Sequence, residues 1–517
     1  MLIVAERRRT AKAIINVGST LGLIAVSSVL VWLSDAGGVV STVYRLGDWP
    51  APYAIVLVVD RLSAVMLLLT SVLAAAALLF SLARWHREGA YFHALFQFLL
   101  MGLNGAFLTG DLFNLFVFFE LLLVASYGLA LHGSGSARVK AGLHYIAVNL
   151  AASLLFLIGV SLMYGVAGTL NMADLAARIP HLPTEHRGLF EAGAAILGVA
   201  FLVKAGMWPL CFWLPTTYAA APPPAAAVFA ILTKVGAYVL LRLCTLLFGD
   251  GAGPSEELGA DWLLFGGLAT IAFGAIGTLA AQDMARLAAY SVIVSSGTVL
   301  AAIGLGGVAI VGGALYYMVS STMGLAAFFM LVELVQRGRE PGADVLAVTR
   351  ESYGEPEEDL VEEVGVAIPA TMTIMGLAFI GCTTVIVGVP PLSGFIAKFA
   401  LLAAVLSPPS GLPEAPVQPV AWVFVATLIV SGLASLVSLV RAGIHAFWAV
   451  DRSVPRVRAI EMAPIGCLLI FCAVQTVQAG PIMRFMQATA VSLYEPRGYV
   501  EAVMGAKGSQ PQPPATP

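Results

Sequence analysis

The sequence predicts an all-α polytopic membrane protein. Of its 517 residues, 59% are hydrophobic and only 11% are charged, whereas soluble globular domains carry about 25% charged residues. Apolar segments of about 20 residues, the length that crosses a bilayer core as a helix, recur along the chain. The net charge of −3 excludes the basic surface that a nucleic-acid-binding protein needs. The composition therefore excludes a soluble enzyme and a nucleic-acid-binding protein.

Charged, Gly and Pro residues separate about 13 predicted transmembrane spans. Their predicted limits are 13–33, 60–83, 91–109, 111–131, 141–167, 191–213, 225–248, 261–281, 287–306, 310–335, 365–405, 420–449 and 461–480. The stretch 365–405 is too long for one straight span, and its sequence Gly388-Val389-Pro390-Pro391 predicts a broken helix. Pro209 and Pro215 interrupt the span 191–213 in a similar way.

Lys and Arg concentrate in alternate loops, which predicts the orientation of the chain. The basic residues that precede the first span, or follow the second, fourth, eighth, tenth and twelfth, are Arg7, Arg8, Arg9, Lys12, Arg84, Arg87, Arg138, Lys140, Arg286, Arg337, Arg339, Arg350, Arg441, Arg452, Arg456 and Arg458. The other loops are neutral or acidic. The pattern predicts that these basic loops and the N-terminus are cytoplasmic.

The two interrupted helices occupy comparable places in two halves of the chain. Such a pair predicts inverted repeats with an ion site near mid-membrane. The predicted division is 1–90 for N-terminal helices, 91–248 for the first repeat, 261–449 for the second repeat with a cytoplasmic loop at 336–363, 450–505 for a C-terminal helical region and 506–517 for a disordered tail. Pro kinks are common in membrane helices, so a purely structural origin of the two breaks stays open.

Ionisable side chains inside the predicted spans mark the candidate site. Lys204, Lys234 and Lys398 lie deep within spans, and so does Glu120. Charges in a bilayer usually mark ion paths, and a buried lysine can lose its proton whereas arginine cannot. We expect a proton relay in which Glu120 pairs with Lys204 and controls transfer towards Lys234 and then Lys398. Static ion pairs that fix helix packing are the alternative.

Other polar residues are weaker candidates. Lys140 and His144 near one helix end, and His445 near another, are candidate proton-uptake groups; a solvated helix end is the alternative for the first two. Asp60 is expected to anchor the start of its span, and Arg242 to extend towards its helix end. The sequence contains no nucleotide-binding loop and nothing that favours a cofactor, and it defines no metal or cation site.

Four motifs resemble the antiporter-like family shared by multisubunit Na⁺/H⁺ antiporters and the proton-pumping arm of respiratory complex I. The motifs are Asp111-Leu112-Phe113-Asn114-Leu115-Phe116-Val117-Phe118-Phe119-Glu120; Lys204-Ala205-Gly206-Met207-Trp208-Pro209 with Trp213-Leu214-Pro215; Leu232-Thr233-Lys234; and Gly388-Val389-Pro390-Pro391-Leu392-Ser393-Gly394-Phe395 with Lys398. Within the family, the stretches 44–52 and 295–298 are most similar to the D-subunit branch of Mrp-type antiporters, also called the Pha, Mnh or Sha system.

The resemblance implies a fourteen-helix fold, whose first helix is expected to be missing here, and two inverted five-helix repeats with discontinuous helices. It implies that Glu120 and Lys204 form the coupling pair, that Lys234 is the bridge and that Lys398 is the terminal lysine. It also implies a bacterial inner-membrane antiporter of Na⁺ or K⁺ against protons, which needs no cofactor and works with Mrp-type partners, the A, B, C, E, F and G subunits. The alternative is a homologous proton-pumping subunit of a complex I-like oxidoreductase or membrane hydrogenase.

One departure from the family concerns the region between Lys234 and Lys398. Many relatives carry His near the position of Ser295, and others carry His and Lys in the span that holds Ser320-Ser321-Thr322. Serine can hold water but does not titrate at neutral pH. The sequence therefore leaves open how a proton would cross this region.

Overall fold

The computed structural model describes residues 8–36, 42–53, 55–337, 370–407, 417–447 and 457–505. Within these ranges the chain forms eighteen α-helices and one two-stranded sheet. The helices are α1 (Arg9–Ala36), α2 (Arg61–Leu82), α3 (Phe92–Leu108), α4 (Leu112–Ala130), α5 (Ser136–Ala167), α6 (Met172–Arg178), α7 (Thr184–Ala205), α8 (Trp213–Ala220), α9 (Pro223–Leu247), α10 (Ala260–Ala280), α11 (Met284–Leu305), α12 (Val308–Arg337), α13 (Ala370–Val387), α14 (Ser393–Leu406), α15 (Pro419–Phe447), α16 (Ala459–Val477), α17 (Ala479–Tyr494) and α18 (Arg497–Met504). The tail 506–517 and the loop 336–363 beyond Arg337 lie outside the described residues.

The helices fall on the predicted spans. Among the described residues, twelve helices are long and apolar enough to cross a membrane, and α3 and α14 are shorter apolar helices. The span 365–405 is broken into α13 and α14. In the span 191–213 the helix α7 ends at Ala205, and α8 begins only at the last residue of the span, Trp213. The all-α, multi-pass membrane architecture is confirmed. The division into repeats stays a prediction, although each break falls in the fourth span of its predicted half.

Small residues bring the central helices into backbone contact. A Cβ atom on Gly236 of α9 would lie 2.7 Å from the backbone nitrogen of Ala205 in α7, so only glycine permits this crossing. Lys204 and Lys234 each lie within two residues of the crossing. The close approach of α7 and α9 therefore places the two lysines at the same level of the helix bundle.

Basic residues from several helix ends meet at one face, which we call the basic face. Arg337 at the end of α12 pairs with Glu461 of α16 at 2.9 Å. Arg441 of α15 donates to the backbone oxygens of Leu279 and Ala281 at the end of α10, at 2.8 and 3.0 Å. These contacts agree with the alternation of basic loops. The cytoplasmic location of this face stays a prediction.

The opposite end carries a β-hairpin, and we call it the hairpin face. Strand β1 (Thr42–Arg45) pairs antiparallel with β2 (Val56–Val59), with Thr42 opposite Val59. Asp60 follows β2 directly and caps α2, because its side chain accepts a hydrogen bond from the backbone nitrogen of Ser63 at 2.8 Å. Helix α18 packs against β1 and α6, so the C-terminal region covers this face.

Candidate functional site

Lys204 lies at the break between α7 and α8. The helix α7 ends one residue later at Ala205, because Gly206 adopts a left-handed conformation with φ of 71°. This conformation is typical of glycine just beyond a helix C-terminus. Lys204 is buried, and its Nζ donates to the side-chain oxygen of Asn149 at 3.0 Å. The break thus leaves a buried amine at the carbonyl end of a half-helix, where a positive charge is favoured.

Glu120 lies near Lys204 without the direct ion pair that the sequence predicted. Its carboxylate acts electrostatically on Lys204, but within the described residues its Oε1 atom is buried with no hydrogen-bond partner. Lys204 is instead satisfied by Asn149, since an amine can donate to an amide oxygen as well as to a carboxylate. The two side chains interact electrostatically, but within the described residues they form no ion pair with each other.

Asn149 is the site residue that sequence reasoning missed. It lies on α5, which packs against α7, and is fully buried with its Nδ2 donating to the backbone oxygen of Tyr145 at 2.8 Å. That bond orients the amide so that its oxygen faces Lys204. An amide in the middle of an otherwise apolar span was the available signal, since buried polar groups are expensive in a membrane.

Lys398 spans the break between α13 and α14. Its Nζ donates to the backbone oxygen of Val387, the last residue of α13, at 2.7 Å. Gly388 makes room for the lysine side chain: its φ is 79°, and a Cβ atom there would lie only 2.6 Å from Lys398 Cδ. The predicted broken helix therefore places a buried amine on a helix C-terminus at this second break as well.

Lys234 is fully buried in α9 and contacts a run of hydroxyl groups. Its Nζ donates to Ser295 Oγ at 2.8 Å, and Ser295 shares a hydrogen bond of 2.9 Å with Ser321 of α12. The neighbouring Ser320 shares a hydrogen bond of 2.7 Å with Ser393, the first residue of α14. Two hydroxyl pairs therefore lie between the lysines: Ser295–Ser321 contacts Lys234, and Ser320–Ser393 reaches the helix that carries Lys398.

A small cavity lies beside these hydroxyls. Its volume is about 10 Å³, room for about one water molecule. The side chains that line it are Ser291, Val294, Ser295, Tyr317, Ser321, Leu325, Ile386 and Ser435. Ser291 and Ser435 each donate to a backbone oxygen of their own helix at 2.9 Å. Their hydroxyl oxygens can therefore still accept a hydrogen bond from a molecule in the cavity. The cavity lies between α11, α12, α13 and α15, and hydroxyl oxygens that can accept a hydrogen bond line part of its wall.

The three candidate uptake residues lie on the surface. Lys140 and His144 are exposed on α5, where the His144 ring packs 5.4 Å from that of Phe212, and His445 is exposed on α15. The structure does not bring them into the buried set of Lys204, Lys234 and Lys398. Their role in proton uptake stays a prediction.

Arg242 and Asp60 depart from their expected positions. Arg242 was expected to extend towards its helix end, but it is buried in α9 and forms an ion pair with Asp60. Asp60 therefore does more than anchor α2, because it also neutralises this guanidinium. The two residues are far apart in sequence, so no local pattern could have indicated the pair.

Buried ionisable side chains at helix breaks, within a bundle of apolar helices, are typical of ion-translocating membrane proteins. Residues 109–411 match the family model described as NADH:quinone oxidoreductase/Mrp antiporter, TM. The chain belongs to this family. It is 59% identical over 99% of its length to the D subunit of a probable K⁺/H⁺ antiporter of Rhizobium meliloti, of which it covers 96%.

The chain is also similar to a second curated relative and to two solved structures. The chain is 33% identical to the D subunit of the Na⁺/H⁺ antiporter of Alkalihalophilus pseudofirmus, over 97% of this chain and 96% of that protein. Its fold is similar to a chain in the Mrp complex of a Dietzia species, with a TM-score of 0.81 and 25% identity over 96% of this chain and 95% of that one. A chain of respiratory complex I from Thermus thermophilus shares the fold, with a TM-score of 0.72 and 21% identity over 95% of this chain and 96% of that one.

Proposed function

We propose that this chain is the proton-translocating subunit of a multisubunit antiporter that exchanges Na⁺ or K⁺ for protons across a bacterial cytoplasmic membrane. Its partners are the A, B, C, E, F and G subunits of the Mrp type. The observation that carries the proposal is the environment of three buried amines. Lys204, Lys234 and Lys398 each donate to an uncharged oxygen, in a side-chain amide, a hydroxyl and a backbone carbonyl respectively.

An uncharged partner lets a lysine exist in either protonation state. A carboxylate in direct contact would favour the charged amine strongly and hold the proton in place. An amide, hydroxyl or carbonyl oxygen stabilises the charge more weakly, so the buried amine can give up its proton at low cost. Three such amines are therefore suited to carry protons rather than to fix helix packing.

Glu120 supplies the control of the relay. Its charge acts on Lys204, and Coulomb interactions inside a protein are several times stronger than in water. A change in the charge of Glu120 would change the electric field at Lys204, and this change controls release of the lysine proton. The proton then passes towards Lys234, which lies at the same crossing of α7 and α9.

The hydroxyl run carries the proton between Lys234 and Lys398. Ser295 and Ser321 each accept and donate hydrogen bonds, so a proton can move along them by reorientation without a charged serine. The adjacent cavity, with room for about one water molecule, lies between these serines and Ser435. This arrangement takes the place of the titrating side chains that the family resemblance leads one to expect at these positions.

The second candidate function is proton pumping within a redox complex, which the shared family and fold permit. The 59% identity to the D subunit of a K⁺/H⁺ antiporter favours the antiporter. Neighbouring genes separate the two functions: small antiporter subunits accompany the first, and flavin and iron–sulfur subunits accompany the second.

The test is cation/proton exchange in everted membrane vesicles that contain the complete complex. Lys398→Ala and Lys398→Arg are compared with wild type. We expect both variants to lower exchange at least about tenfold while the complex still assembles, because arginine keeps the charge but cannot release a proton. Full exchange with Lys398→Arg would show that the charge alone suffices and would refute the relay.

A further inference from the structure

The ion pair of Asp60 and Arg242 is a buried charged site that the relay does not use. Asp60 is 5% exposed and Arg242 is 7% exposed. The guanidinium also lies over the rings of Tyr238 and Tyr499, at 5.6 and 5.3 Å from their centroids. A cavity of about 10 Å³ borders the pair, lined also by Thr245. The pair is therefore enclosed near the hairpin face and shielded by α18.

Arg242 shares its helix with Lys234. The two residues are eight positions apart on α9, which corresponds to about 12 Å along the helix axis. The groups that face the ion pair are Tyr238 of the same helix, Ser63 of α2 and Tyr499 of α18. Asp111, at the start of α4, acts on Tyr499 electrostatically. Ser295 of α11 faces Lys234.

The charge on Arg242 cannot be removed by deprotonation. Guanidinium stays protonated even when it is buried, whereas a buried lysine can release its proton. Paired with Asp60, it forms a compact dipole whose field at Lys234 is small. Unpaired, it would place a full positive charge on the same helix as Lys234. At a separation of about 12 Å and an effective dielectric of about 20, such a charge shifts a titration by about one pH unit.

We propose that Asp60 is a positioning residue that neutralises Arg242 and thereby sets the pH at which Lys234 exchanges its proton. The inference rests on the proposed role of Lys234 in the relay. Its structural basis is the arrangement of three groups: a carboxylate from the start of α2, a permanent cation on α9 and a titrating amine two turns further along the same helix. A carboxylate near the hairpin face in this way sets the pH at which Lys234, within the helix bundle, exchanges its proton.

The test is the pH dependence of exchange in vesicles containing the complete complex. Asp60→Asn leaves Arg242 charged and unpaired, and we expect it to move the midpoint for Lys234 deprotonation to lower pH by about one unit. The double variant Asp60→Asn with Arg242→Gln removes both charges, and we expect it to return the midpoint to that of wild type. A merely structural role predicts that the double variant is impaired at least as much as the single one.

A relocated carboxylate keeps the test decisive if Asp60→Asn does not assemble. Thr245 lies three residues beyond Arg242 on α9 and lines the same cavity. Adding Thr245→Asp to Asp60→Asn supplies a new partner one helical turn away. We expect this variant to restore assembly with a wild-type midpoint. A restored complex with a shifted midpoint, or no restoration, overturns the inference.

Lys234→Ala separates this inference from the proposed function. If Lys234→Ala abolishes exchange and Asp60→Asn exchanges with an unshifted midpoint, the relay stands and the tuning by Asp60 is refuted. If Lys234→Ala retains exchange, the proposed relay itself fails. A shift with Asp60→Asn that the double variant reverses supports both.

Discussion

The amine of Lys398 lies 2.7 Å from the backbone oxygen of Val387, across the break between α13 and α14. Val387 ends α13, and the unsatisfied carbonyl groups of a helix C-terminus carry partial negative charge. Lys204 occupies the last turn of α7, so it lies at a helix C-terminus too. Lys398 is therefore held by a helix carbonyl and Lys204 by the Asn149 amide, so neither break places a carboxylate in contact with its lysine. This arrangement favours a proton carrier over a fixed ion pair.

Gly388→Ala should break the contact between Lys398 and Val387. A Cβ atom would meet Lys398 Cδ at 2.6 Å, and the left-handed backbone at φ of 79° costs about 1–2 kcal/mol for a residue with a side chain. We expect exchange in vesicles to fall at least about tenfold, because Lys398 must move away from Val387. The matched control is Gly376→Ala in α13, where the nearest atom lies 4.0 Å away. Equal exchange rates in the two variants would contradict the role given to the break.

Asn149→Ala should impair the relay at its first lysine. Removal of the amide leaves the buried Lys204 amine without its side-chain acceptor, and such a loss costs about 1–3 kcal/mol. Expected outcomes are slower exchange and a midpoint displaced to lower pH, since the charged amine loses stabilisation. Ser153→Ala, one turn further along the same buried face of α5, is the control. Exchange with an unchanged rate and pH profile in Asn149→Ala would remove Asn149 from the site.

Ser295→Ala should interrupt transfer between Lys234 and Lys398. The variant removes the oxygen that accepts from Lys234 at 2.8 Å and the link to Ser321. We expect exchange to slow about tenfold, whereas Ser438→Ala, which removes a buried hydroxyl that donates within α15 at 2.7 Å, should leave the rate unchanged. Comparable rates in both variants would show that the proton takes a different route.

The buried lysines and both helix breaks could be predicted from sequence, because charge within an apolar span and Pro or Gly within a helix are local signals. Pairings between distant helices could not. The contact of Asn149 with Lys204, and that of Asp60 with Arg242, depend on which faces of α5, α7, α2 and α9 meet. Hydropathy along one helix does not contain that information.

The same limit explains why the sequence could not predict the surface positions of Lys140, His144 and His445. A basic residue near a helix end is compatible with a pathway opening and with a solvated surface, and the sequence pattern does not distinguish them. The direct pairing of Glu120 with Lys204 was expected for a related reason. Two opposite charges inside a membrane suggest a pair, but the uncharged oxygen of Asn149 was closer.

Stability of the complex should depend on pH through His132, which lies in the loop between α4 and α5. Burial lowers the pKa of His132 and outweighs the hydrogen bond of its ring to the backbone oxygen of Trp85 at 2.9 Å, which raises the pKa. The neighbouring Arg138 guanidinium lowers the pKa further. Because the folded state disfavours the protonated ring, the stabilisation is complete above the ordinary pKa of about 6.5 and is lost as the pH falls below it.

Thermal unfolding of the purified complex between about pH 5 and pH 8 checks this expectation. The unfolding temperature should fall towards the acidic end in wild type, and His132→Gln should reduce the dependence because glutamine does not titrate. His181→Gln, at an exposed position on the other end of the bundle, serves as the control. An unchanged pH dependence in His132→Gln would assign the acid sensitivity to other groups.

The central claim is that Lys234 alternates between its charged and neutral forms, and Lys234→Arg tests it most directly. Arginine keeps a positive charge and can donate to Ser295, but it does not release its proton at accessible pH. The measurement is the rate of proton release from vesicles containing the complete complex after a pulse of Na⁺ or K⁺. We expect an assembled complex with exchange reduced at least about tenfold. Exchange at the wild-type rate would contradict it.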